Sequence, residues 1–179
     1  RKAGYKIRRD ALSFDRHVDR LFVKGSGIFR GTLLGRFEVA VKVLPNASGM
    51  ESLPDDFVEE MKNFEHKYIT RFFGYCTDSQ FVYELSELVE AGSVVNFVRH
   101  GCPPSEHQLF RIVSNVSAAM EHLHQHGILH RDLSPYCVYV FDWARGEVKL
   151  GGFGPVRRFV EDSVPGSVVA ANMIYASPE

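Results

Sequence analysis

The first half of the chain alternates. In FEVAVKVL (37–44) apolar and polar residues exchange position by position, with β-branched side chains prominent. That period of two predicts a half-buried strand. YITRFFGYC (68–76) and QFVYELSELV (80–89) are predicted as two further strands, with a turn at Thr77-Asp78-Ser79 between them. Between the first strand and this pair, Pro54 followed by Asp55 and Asp56 marks a helix start with acid in its first turn, leading into FVEEMKNF.

The second half opens at a longer period. Ser105 and Gln108 form the S-x-x-Q pattern of a capping box. Leu109, Ile112, Val113, Val116, Met120 and Leu123 follow at helical spacing, and Gly127 closes the run. YCVYV (136–140) and EVKLG (147–151) are predicted as short strands around a turn at Ala144-Arg145-Gly146, and the last 25 residues are loop-like. The order is a small sheet with one helix, then a helix followed by loops. This organisation predicts an α+β, two-lobed chain: a β-rich lobe over about 12–87, a hinge over 87–92, and a helical lobe over 93–179.

Composition narrows the function classes. The 179 residues are 45% hydrophobic and 24% charged, the balance of a folded protein. A formal net charge of −1 gives no footprint for nucleic acid or an anionic membrane. No segment approaches the ~18 unbroken apolar residues of a membrane span. Cys76, Cys102 and Cys137 are widely spaced and odd in number, which suits a reduced, cytoplasmic setting rather than a disulfide framework.

Four ordered motifs then carry a resemblance. VAVKVL (39–44), HRDL (130–133), GFG (152–154) and SPE (177–179) are similar, in order and spacing, to the signature motifs of the protein kinase superfamily. YKIRRDAL (5–12) and FRGTL (29–33) resemble the lead-in of tyrosine-kinase domains. HKYI (66–69), GYC (74–76), KIRRDAL and IFRG (28–31) resemble the pseudokinase domains of Janus-type tyrosine kinases, although the intact His-Arg-Asp and Cys137 depart from that group. The resemblance implies a bilobal protein-kinase-like fold with a small β-rich N-lobe and a truncated helical C-lobe. It also implies a nucleotide site using Lys42, Ala40, Glu87 and Val89, with Gly25 and Gly27 if GSG (25–27) is the glycine-rich loop, and a catalytic loop with Arg131 and Asp132 as candidate base.

The departures fall on the chemistry. In kinases magnesium is held by the Asp of Asp-Phe-Gly and by the catalytic-loop Asn. Those positions are Gly152, with no side chain, and Cys137, a soft thiol poorly suited to a hard cation. No metal ligand is therefore expected, and ATP is expected to bind weakly if at all. Counting back from Lys42 without gaps places Leu21 and Val23 at glycine positions of the phosphate loop. Reading Gly25 and Gly27 as the motif instead puts Arg30 at its third glycine, and both registers stay open. The helix position expected to pair with Lys42 falls on Phe57, with Glu60 as the alternative after a deletion, leaving Lys42 unpaired or with an unusual partner. Tyr139 stands where kinases place a small aliphatic under adenine, and its ring either stacks or fills that space. The bulky spine positions Met61, Phe72, His130 and Phe153 are retained.

Other features carry blander expectations. His122, His124 and His126 are expected to be solvated or capping, because alternate residues point to different helix faces. The loop 155–174 contains no tyrosine, which leaves no acceptor for loop tyrosine phosphorylation. A kinase domain continues into further helices beyond Ser-Pro-Glu, so the stripe from Leu109 to Leu123 is expected to lack part of its packing surface. The resulting expectation is a pseudokinase that regulates a protein partner or an adjacent kinase domain, as the intracellular part of a larger or membrane-associated protein. An active tyrosine-type kinase using Lys42 and Asp132, and a nucleotide-binding scaffold without turnover, are the alternatives.

Overall fold

A computed structural model describes residues 5–14, 28–46, 64–130 and 132–152. The chain divides into two compact units. The first comprises residues 1–62, 71–88 and 154–167, and the second comprises residues 63–70, 89–153 and 168–179.

The first unit is a five-stranded antiparallel sheet. Its strands are β1 (Leu12–Ser13), β2 (Ile28–Leu33), β3 (Phe37–Pro45), β4 (Phe72–Thr77) and β5 (Phe81–Glu87), in the order β1-β2-β3-β5-β4. The alternation read over 37–44 puts Val39 and Val41 on one face, where they pack with Leu12, Cys76, Tyr83 and Leu85. Ile7 and Phe14 of the lead-in segment close over that core. The lead-in also shields the edge of β4: Lys6 bridges Tyr75 in parallel, Ile7 N–H donates to the Tyr75 carbonyl at 2.7 Å, and Tyr75 N–H to that of Tyr5 at 2.8 Å. This passage requires a glycine at 74, where φ is 147° and an added Cβ would lie 2.3 Å from the Tyr5 carbonyl oxygen. The Arg9 guanidinium lies 4.5 Å from the centre of the Tyr83 ring and fixes the segment further.

The described residues of the second unit form two α-helices and a hairpin: α1 (Val94–Arg99), α2 (Glu106–Gln125), β6 (Val138–Asp142) and β7 (Glu147–Leu150). The capping box forms as the sequence predicts, with Gln108 N–H donating to Ser105 Oγ at 3.3 Å and Ser105 N–H to Gln108 Oε1 at 2.8 Å. The apolar stripe is shifted from its predicted phase. Ile112, Asn115, Ala119 and Leu123 are buried, whereas Leu109 and Val113 are 50% and 56% exposed. A polar contact sets this phase, because the buried Asn115 accepts the Val148 amide of β7 at 3.3 Å.

Two predicted strands change their bounds. The run 68–76 is divided at Thr70: Tyr68–Thr70 runs beside β7, exchanging bonds with Leu150 at 2.7 and 2.9 Å, and the ladder to β5 begins only at Phe72. The strand predicted from Tyr136 starts at Val138, because Pro135–Cys137 closes a 3₁₀ turn. Helix α1, six residues behind an N-cap Ser93, is too short for a periodic signature and was not predicted. The helix predicted from Pro54 lies outside the described residues.

Candidate functional site

Lys42 and Ala40 lie two apart on β3 and therefore share the sheet face opposite the Val39–Val41 core. Ala40 stands across from Arg30 on β2 and Ser86 on β5, and Lys42 across from Ile28 and Glu84. Lys42 is half-buried and engaged in an interaction, so the unpaired alternative does not hold. Glu87 closes β5 and is tied twice to Arg71. Its amide donates to the Arg71 carbonyl at 2.8 Å, and its Oε2 accepts the Arg71 amide at 3.1 Å. Val89, in the second unit, is buried, and its carbonyl accepts the Gly92 amide.

The loop after α2 is held by two side chains. His130 is buried; its Nδ1 accepts the Asp132 amide at 3.3 Å, and its Nε2 lies 3.0 Å from the Gly151 carbonyl oxygen. An imidazole that accepts at Nδ1 carries its proton on Nε2, so Nε2–H donates to Gly151. The second holder is Cys137. Its Sγ accepts the Ser134 amide at 3.2 Å and donates to the Ser134 carbonyl at 2.9 Å. Burial pushes the thiol up to about 11, with the charge of Asp132 adding to the shift and the Ser134 hydrogen bonds opposing it. The group therefore stays a neutral thiol at physiological pH.

Gly152 lies directly against this thiol residue. Its φ is 82°, and an added Cβ would come within 2.9 Å of Cys137 Cβ. Gly151 is equally confined: a Cβ there would meet the Tyr139 ring at 2.7 Å and Thr70 Oγ1 at 2.8 Å. The Tyr139 ring thus lies along Gly151, and the Tyr139 backbone forms an antiparallel bridge with Ser93. Of the remaining candidates, Gly25, Gly27, Phe57, Glu60, Met61, Arg131 and Phe153 lie outside the described residues.

Two arrangements escaped the sequence reading. Glu84, buried at 7% exposure, is the cross-strand neighbour of Lys42. The rings of His66 and His122 stack at 4.8 Å between centres with 17° between planes, and His126 lies 4.5 Å from His122. His126, the exposed C-cap of α2, sets its Nδ1 2.8 Å from the His122 carbonyl oxygen, so the expectation of a capping histidine holds there, while the stacking of His122 on His66 goes beyond it. Among the described residues, no group of three His, Cys, Asp or Glu side chains is placed to hold a metal ion. No described helix is long and apolar enough to cross a membrane.

A half-buried lysine on β3 in the first unit and, in the second, a buried His130 bonded to the carbonyl of Gly151 are features of a protein-kinase-like fold. The chain belongs to the protein kinase family: the model of the protein kinase domain matches residues 30–179. It is similar to the human cytoplasmic tyrosine-protein kinase BMX, 31% identical over 153 residues, covering 80% of this chain and 22% of that protein. It is also similar to the tyrosine-protein kinase transforming protein Fps of avian sarcoma virus (strain PRCII), 29% identical over 195 residues, covering 100% of this chain and 36% of that one. A probable serine/threonine-protein kinase, zyg-1 of Caenorhabditis briggsae, is 31% identical over 119 residues, covering 65% of this chain and 17% of its own. Among solved structures, Rad53 1-466 in complex with AMP-PNP superposes with a TM-score of 0.66 at 22% identity, covering 81% of this chain and 38% of that chain. The chain therefore spans well under half the length of these relatives.

Proposed function

We propose that this kinase domain is a pseudokinase, regulating a protein partner or an adjacent kinase domain by binding rather than by phosphoryl transfer. The observation that carries this reading is the contact between Gly152 and Cys137. A magnesium ion requires hard oxygen donors in near-octahedral geometry. Position 152 offers no side chain, and a Cβ there would collide with Cys137. Position 137 offers a neutral thiol committed to the Ser134 backbone. The donor set does not fit the metal. Asp132 then stands as a vestigial base beside Arg131, in a loop whose shape His130 and Cys137 maintain for its own sake.

Nucleotide is a separate matter. Lys42, Ala40, Glu87 and Val89 are the residues that would contact it, with Gly25 and Gly27 in one register of the phosphate loop. The AMP-PNP complex of the fold relative Rad53 favours a second reading, a nucleotide-binding scaffold without turnover. The tyrosine-kinase relatives support a tyrosine-kinase-like domain, and the resemblance of HKYI, GYC, KIRRDAL and IFRG to Janus-type pseudokinases supports the regulatory reading, with a cytoplasmic setting as part of it.

The test is a phosphotransfer assay with purified protein, Mg-ATP and a poly-Glu-Tyr acceptor. Loss of a metal clamp worth about 4 kcal/mol slows transfer by on the order of a thousandfold. Turnover is therefore expected at least that far below the ~1–100 per second of ordinary kinases. Turnover within that ordinary range, abolished by Asp132→Asn, would overturn the reading.

A further inference from the structure

The chain folds back on itself at His66-Lys67-Tyr68. His66 Nδ1 accepts the Tyr68 amide at 3.3 Å, and the His66 carbonyl accepts the Ile69 amide at 3.1 Å. His130 makes the same return to the Asp132 amide, but that ring is buried with its Nε2 on the Gly151 carbonyl. The half-exposed ring of His66 instead lies on His122 of α2, with 4.8 Å between centres and 17° between planes. His126 continues the stack 4.5 Å from His122, its Nδ1 2.8 Å from the His122 carbonyl oxygen.

The two outer rings answer a proton differently. A ring nitrogen set against a carbonyl oxygen carries hydrogen, so His126 is protonated at Nδ1, and a second proton on its Nε2 leaves that bond intact. His66 accepts at Nδ1, so its neutral form carries hydrogen on Nε2. Protonation fills the accepting nitrogen and turns its N–H against the Tyr68 N–H. The Tyr68 bond is then lost, and a cation lies on the face of a second imidazole.

The charged surroundings do not offset that cation. Among the described residues no carboxylate is paired with His66, and His122 is the group that acts on it by charge. On its own segment Glu65 is exposed, and Lys67 is turned to the Tyr68 hydroxyl at 3.2 Å. On α2, Glu121 Oε1 accepts Gln125 Nε2 at 3.3 Å. On β7, Lys149 lies over the Phe141 ring, and Glu147 stands across from Asp142 at the far end of the hairpin.

We propose that His66, His122 and His126 form a proton-operated clasp, which locks the turn 66–69 on the end of α2 while His66 is neutral and releases it when His66 is protonated. The turn carries more than itself. Just beyond it, the Tyr68 carbonyl accepts the Leu150 amide at 2.7 Å and the Thr70 amide donates to the Leu150 carbonyl at 2.9 Å, so release also loosens the pairing with β7. Residues 63–70 belong to the second unit, between two stretches of the first, and the clasp and Leu150 are what hold them there. Burial, and secondarily His122, keeps His66 below the ordinary histidine range, so the closed form prevails at neutral pH and opening sets in below about pH 6.5. The device is independent of whether the domain transfers phosphate.

Amide hydrogen exchange in the 1–179 chain tests the clasp, read by NMR at pH 7.5 and 5.5 and corrected for the intrinsic pH dependence of exchange. Protection of Tyr68, Ile69 and Thr70 is expected to fall about fivefold or more in the wild type at the lower pH. His66→Asn keeps an acceptor for the Tyr68 amide but does not titrate, and its protection is expected to change by less than about twofold. Equal protection of the wild type at both pH values, or the same loss in His66→Asn, would overturn the proposal. His122→Ala is expected to lose protection there already at pH 7.5, and unaltered protection would remove the stack from the device. Should His66→Asn fail to fold, ring-nitrogen shifts of the wild type decide. His66 Nδ1 is expected to be unprotonated at pH 7.5, with the Tyr68 amide resonance following the His66 titration. A proton on Nδ1 at that pH, or a Tyr68 amide that does not follow, would overturn the clasp as well.

Discussion

The proposed loss of phosphotransfer turns on one pair of residues, Gly152 and Cys137. The sequence motifs located both positions, since each stands at a fixed offset inside a recognisable loop. Their mutual contact was not legible, because it depends on a φ of 82° and on a thiol turned back onto Ser134. Restoring a carboxylate at 152 therefore confronts two obstacles. An L-residue in that backbone region is strained, and its Cβ would press on Cys137 at 2.9 Å. Gly152→Asp is expected to destabilise the domain by about 1–3 kcal/mol, the usual cost of overpacking or backbone strain. It is also expected to produce no gain in phosphotransfer, because the parts of such a site act as a unit. Thermal unfolding and a kinase assay on the one variant check both halves; a stable, active Gly152→Asp protein would contradict them.

At the scale of elements, the sequence was most legible where the signal is local. The alternation of 37–44 and the Ser105–Gln108 box both mapped onto real elements within a residue or two. Replacing Ser105 by Ala removes the acceptor for the Gln108 amide and is expected to cost about 0.5–2 kcal/mol, measurable as a lowered urea midpoint at unchanged slope. Where the partner of an element decides, sequence reading failed. The phase of α2 follows from Asn115 reaching Val148, and the division of 68–76 from two different pairing strands. The opposition of Glu84 to Lys42 belongs to the same class, since lateral register is absent from a one-dimensional pattern.

The histidine stack adds a pH dependence at this scale. It joins the segment around His66 to the end of α2 through His122 and His126, with Lys67 hydrogen-bonded to Tyr68 beside it. Burial, and secondarily the neighbouring His122, holds His66 below the ordinary histidine range. An unfolded histidine protonates near pH 6.5. Below that pH the unfolded chain binds more protons than the folded one, so stability falls as pH drops and levels off beneath the folded pKa. The melting temperature is expected to decrease from pH 7.5 to 5.5, with a shallower decrease in His66→Gln. An unchanged slope in that variant would assign the pH dependence to other groups.

For the whole molecule, the candidate residues are divided between the two units. The sheet unit holds Lys42 and Ala40 on the face opposite a well-filled core, while the helical unit holds His130 and Asp132, with Cys137 and Gly152 at the positions proposed to have lost the metal. Lys42 alone still attracts a phosphate, so weak nucleotide binding is compatible with this chemistry. On the proposed reading neither Gly152 nor Cys137 offers the metal a donor, so binding should be indifferent to it. The most direct measurement is calorimetric titration of ATP into the domain with magnesium and, separately, with EDTA. The same affinity in both, within about twofold, or no binding in either, is the predicted result, since no bound metal adds its stabilisation. A tightening of tenfold or more with magnesium, about 1.4 kcal/mol, that disappears in Asp132→Asn would contradict it.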